Sequence, residues 1–145
     1  MVDPEIGAAR ALDVVSRIVR EARMEQDADG VRRAVARLTA ECMGYRAAAL
    51  GVIDSAGLLK FTVFGEAPDC QDERACREAP ARAPDGSWIS APLAGISRFI
   101  GTLIGYGHGT GTFDADDLRI HAKLCDSVAV ILEAQMARAN LVETM

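Results

Sequence analysis

Apolar residues recur at helical spacing from residue 4 to about 26, at Ile6, Ala9, Leu12, Val14/Val15, Ile18, Val19 and Ala22. Pro4 suits the first turn of such a helix, where its missing N–H has no partner to lose. Asp27-Ala28-Asp29-Gly30 breaks the pattern and offers a cap for a second helix over about 30–43. That helix has Val31, Ala34, Val35, Leu38, Cys42 and Met43 on its apolar face, and Gly44 as its stop. The period then changes. Two apolar runs, 46–53 and 58–64, flank Asp54-Ser55-Ala56-Gly57, which is hairpin turn chemistry. The second run alternates, with Leu59, Phe61 and Val63 on one face and Lys60, Thr62 and Phe64 on the other. Strands are predicted again at 87–93 and 98–106, joined through Ala94–Ser97. A last long helix starts at Asp114, with Leu118, Ala122, Cys125, Val128, Ala129, Leu132 and Met136 along one stripe. Hairpins clustered between flanking helices predict an α+β fold with an antiparallel sheet.

The segment 66–86 has no clear period. It holds three of the five prolines and two of the four cysteines, and it reads as a surface excursion with one short helical turn near 73–78. At 145 residues the chain has the size of one ordinary domain. Sixteen Lys+Arg against twenty-one Asp+Glu give a net charge of −5, without the clustered positive surface that nucleic acid requires. No apolar run approaches the ~20 residues needed to cross a bilayer, and the N-terminus lacks the basic start and apolar stretch of a signal peptide. A cytoplasmic location with reduced thiols is expected.

Three stretches resemble a known family. Asp29-Gly30-Val31 through Leu38, with Met43-Gly44-Tyr45-Arg46-Ala47, is similar to a helix running into a first strand. Ser87-Trp88-Ile89-Ser90-Ala91-Pro92-Leu93 followed by Phe99-Ile100-Gly101-Thr102-Leu103 is similar to an "apolar-Pro-Leu … Ile-Gly-x-Leu" strand pair. Thr112-Phe113-Asp114-Ala115-Asp116-Asp117-Leu118 is similar to a closing "Phe-x-x-x-Asp-Leu" helix entry. In that order, across about 27–139, they resemble the GAF domain, a small-molecule sensor module of signalling proteins. The resemblance implies a central antiparallel sheet with the first, second and last helices on one face and a ligand pocket on the other. It divides the chain into an N-terminal helix (1–26), a GAF-like domain (27–139) and a tail of the last helix (140–145). The roof of that pocket falls to 66–86, which is short, so little enclosed volume is expected.

Phe64, Trp88, Ser90 and Tyr106 stand on strands and are the candidates for lining such a pocket. Aromatics at strand spacing also serve as plain core. Cys70 and Cys76 lie in the polar excursion beside Arg74 and Arg77, and a nearby cation favours thiolate. They are the candidate redox pair, with Cα atoms expected ~4.4–6.8 Å apart if bridged. Cys42 and Cys125 sit on apolar helical faces, so a four-cysteine metal site is not expected. Gly105–Gly111 reads G-x-G-x-G-x-G and feeds a helix opening on three acids, which would repel phosphate; it reads as a connector. The patterns of cyclic-nucleotide-binding and bilin-attaching GAF domains are missing, and only His108 and His121 are available as haem ligands. No cofactor is indicated, and no catalytic constellation.

The terminal helices carry apolar residues beyond one sheet contact. Val15, Ile18, Val19, Leu132 and Met136 are expected to pair two copies across a two-fold axis. With these stripes, the resemblance implies a non-catalytic sensory or regulatory homodimer. It would transmit ligand or redox state through its terminal helices to an adjoining kinase, cyclase or transcription regulator. A dimerisation domain without ligand, or a thiol sensor, are the alternatives.

Overall fold

Asp54 closes the first hairpin. Its carboxylate accepts from the N–H groups of Ala56 and Leu58 at 2.9 and 3.0 Å, the local bonding that favours Asp in turns. The computed structural model describes residues 4–24, 27–68, 74–96 and 98–144. The hairpin joins β1 (Ala47–Ile53) to β2 (Leu59–Gly65). β3 (Ala81–Arg82), β4 (Trp88–Ala94) and β5 (Phe99–Tyr106) complete an antiparallel sheet in the order β2-β1-β5-β4-β3. Among the described residues, the long helices that flank the strands in sequence are α1 (Pro4–Met24), α2 (Ala28–Met43) and α3 (Ala115–Thr144). This is the predicted α+β architecture. β3 was not foreseen; it adds two residues of pairing inside the excursion.

Caps set the helix limits. The Asp27 carboxylate accepts from Gly30 N–H at 2.5 Å and starts α2. Gly44 ends α2 at φ +75°, a left-handed conformation that glycine adopts without strain. At α3, Asp114 and Asp117 cap reciprocally: each carboxylate accepts from the other's N–H at 2.9 Å.

The three helices bury one core with a single face of the sheet. Val14 and Ile18 of α1, Val35 and Leu38 of α2, and Leu124, Val128 and Leu132 of α3 meet Leu50, Val52, Leu93 and Leu103 there. α2 lies over β1 and β2, α3 over β4 and β5, and α1 packs on both helices. At the start of β5, Leu93 pairs with Gly101 and Ala94 with Phe99, so Ile100 is bulged out of register. The bulge keeps Ile100 in the helix-side core. This core also corrects two interface expectations. Ile18 and Leu132 are fully buried within the chain and have no surface to offer a partner. Val15, Val19 and Met136 are half-buried.

Candidate functional site

Strand alternation sorts the predicted pocket residues between the two faces. Tyr106 pairs across the ladder with Trp88 on one side and Ala47 on the other, so these three share the face away from the helices. Ser90 lies two residues on and shares it too. Phe64 does not. It is the partner of Ala48, one position out of phase with Ala47, and it packs against the helix-side core. The expectation that Phe64 joins Trp88, Ser90 and Tyr106 is therefore corrected. Phe61 takes that place, packing with Ala47, Ala49, Ile104, Tyr106 and Trp88 on the face away from the helices.

Residues 74–77 of the excursion lie on this second face. The Arg74 guanidinium carbon lies 5.6 Å from the Trp88 ring centre and 5.3 Å from that of Tyr106. Arg77 lies 5.3 Å from the Phe99 ring. All three distances suit cation–π attraction. Between the arginines, Cys76 N–H donates to Thr102 Oγ1 at 3.3 Å. Thr102 donates in turn to Ala91 O at 3.2 Å, which leaves its oxygen to accept from the Ser90 hydroxyl at 3.3 Å. Ser90 and Thr102 are fully buried. The floor of the second face thus has two buried hydroxyls and four aromatic rings, and the chain's own arginines lie over three of them, Trp88, Tyr106 and Phe99.

Cys76 is half-buried, and its thiol donates weakly to Arg74 O at 3.7 Å. Cys70 lies outside the described residues. Burial pushes the Cys125 thiol far up, and the Cys42 thiol up as well, so both favour the inert protonated form. Among the described residues no three His, Cys, Asp or Glu side chains converge on a metal position. No helix among them is long and apolar enough to cross a membrane.

His121 is sealed in the protein. Its Nε2 lies 2.8 Å from Leu103 O, a pure acceptor, so Nε2 carries the proton. Nδ1 then accepts from the Tyr45 hydroxyl at 3.0 Å. Tyr45 reaches it across Gly105, where any Cβ would collide with the tyrosine ring, and stands edge-on to Phe113 at 5.2 Å. Burial lowers the imidazole pKa from 6.5 to about 4, outweighing the Leu103 carbonyl. His108, in the glycine-rich connector, is exposed.

On the outer side of the helices, α1 and α3 border a groove of about 460 Å3 lined by Ala8, Ala11, Leu12, Val15, Ile120 and Leu124. Leu12 is 70% exposed. Val130, three residues beyond the groove residue Ser127 on α3, is 58% exposed. Glu5 of α1 and Arg119 and Lys123 of α3 rim the groove. Neither Leu12 nor Val130 was singled out from sequence for this surface. Their signal is position: each falls on the side of its helix opposite the core residues.

No protein-family model matches the sequence, and no curated protein matches it. Solved structures do. The GAF domain of a phosphoenolpyruvate-protein phosphotransferase from Coxiella burnetii aligns at a TM-score of 0.68 and 14% identity, over 95% of this chain and 99% of that one. The GAF domain of the potassium sensor histidine kinase KdpD from Escherichia coli aligns at 0.66 and 14% identity, over 89% and 97%. Free methionine-R-sulfoxide reductase from Neisseria meningitidis, solved with its substrate, aligns at 0.65 and 18% identity, over 90% and 93%. One scaffold thus carries both domains of signalling proteins and an enzyme, and the fold does not choose between them. The chain has a GAF-like α+β fold.

Proposed function

We propose that this chain is a non-catalytic regulatory module that works as a homodimer. In this reading α1 and α3 form the interface, and they carry the state of the domain to an adjoining output domain, of the kinase, cyclase or transcription-regulator kind. The observation that carries the reading is the apolar groove between α1 and α3, with Leu12 70% exposed at its edge. Apolar surface gathered along two adjacent helices is costly to leave in water and is commonly covered by a partner. A second copy fits by charge as well. The groove carries both signs of charge, Glu5 on α1 and Arg119 and Lys123 on α3, as a self-complementary patch requires.

Two further observations support a regulatory over a catalytic role. His121 has both ring nitrogens engaged and is held neutral, so it is not free to act on a substrate. The buried hydroxyls Ser90 and Thr102 bond to each other and lie under the excursion, with no base beside them among the described residues. Signalling would run as a population shift between two packings of α1 on α3. Native mass spectrometry tests the dimer: the expected species is twice the 15.4 kDa chain mass, and a monomer at all accessible concentrations overturns the reading.

A further inference from the structure

Arg74 is half-buried, yet among the described residues no carboxylate reaches ion-pair distance of it. A guanidinium withdrawn from water needs compensation. Here two aromatic faces supply it: Trp88 and Tyr106 are direct partners across the β4–β5 ladder, so their rings stand side by side, and the guanidinium spans both. Side-by-side rings facing one cation are the arrangement by which proteins recognise organic cations. The Asp85 carboxylate lies within the field of Arg74, and the chain carries a net charge of −5.

We propose that Trp88 and Tyr106 form a binding cage for a small organic cation, of the guanidinium or quaternary-ammonium class, and that Arg74 fills this cage as an internal occupant. An external cation then binds by displacing Arg74. Displacement loosens the short stretch from Arg74 to Cys76, which besides Arg74 has the 3.3 Å hydrogen bond from Cys76 to Thr102, while Arg77 over Phe99 and the β3–β4 pairing hold the rest in place. The cage rests on the regulatory reading only for its consequence; cation binding itself is independent of whether the chain dimerises. As a tethered competitor, Arg74 acts at an effective concentration on the order of millimolar, so the wild type binds weakly and removing the side chain exposes the cage.

Trp88 is the only tryptophan, so tryptophan emission, excited selectively over the two tyrosines, reports on the cage. The experiment titrates wild type, Arg74→Ala, Arg74→Gln and Arg74→Lys with methylguanidinium chloride, against sodium chloride at equal ionic strength. Circular dichroism verifies the fold of each variant. The expected result is a saturable change in Trp88 emission for the Ala and Gln variants, at a half-saturation at least tenfold below that of the wild type. Arg74→Lys, whose cation refills the cage, follows the wild type. An equal response from wild type and the neutral variants, or a response that sodium chloride reproduces, overturns the proposal. Light scattering on the same samples reports the oligomeric state separately, so a failed cage and a failed dimer are told apart.

Discussion

The two faces of the sheet are made by alternate residues of the same strands, and they are built for different ends. Leu50 and Leu103 point to the helices and are sealed by aliphatic neighbours from α1, α2 and α3. Ala49 and Ile104, one position along, point the other way, toward a surface of aromatic rings, buried hydroxyls and arginines. The helix side is packed mainly by aliphatic side chains, with the sealed Tyr45–His121 pair at its edge. The opposite side has groups that recognise charge and hydrogen bonds, held under a short segment by a few polar contacts. The close-packed core therefore lies on one face, and the polar and cation–π contacts on the other.

The largest expected effect lies in the sealed face. Leu50→Ala removes a fully buried side chain from the shared core and should cost about 4 kcal/mol in urea unfolding, transfer and cavity together. Val63→Ala, on the far face of edge strand β2 and 44% exposed, should change stability by under ~0.5 kcal/mol. Similar costs at both sites would erase the contrast between the faces.

Next in size is a pH effect at the seam between helix and sheet. The imidazole of His121 titrates near 6.5 in the unfolded chain and at about 4 in the folded one. Between those values the unfolded chain takes up a proton that the folded chain refuses. The stabilisation is thus complete above pH 6.5 and falls by about 3 kcal/mol as pH drops to about 4. His121→Gln should flatten that part of the curve in parallel thermal melts. An unchanged slope would show that the buried imidazole is not its source.

Much of this was legible in the sequence, and the gaps have physical reasons. Helices, hairpins and the excursion follow from the change of period and from Asp27, Gly44 and Asp54 at the turns. The alternation in β2 also separates Phe61 from Phe64 correctly. Which of the two faces the helices is settled only by the register of β1 against both neighbours, a long-range property. Ile18 and Leu132 look like interface residues because a helical stripe does not say whether its partner belongs to the same chain. The Tyr45–His121 pair joins residues 76 apart in sequence. Arg74 sits where there is no period to read, and only the folded excursion brings it over Trp88 and Tyr106.

The central claim is that the domain reports through α1 and α3 paired with a second copy. Leu12→Asp tests it most directly, because Leu12 is 70% exposed within one chain and contributes little to the folded protomer. Sedimentation velocity of wild type and variant over a concentration series is the measurement. The account predicts a dimer for the wild type and a folded monomer for Leu12→Asp, with matching circular dichroism. Two equal sedimentation coefficients at every concentration would contradict it.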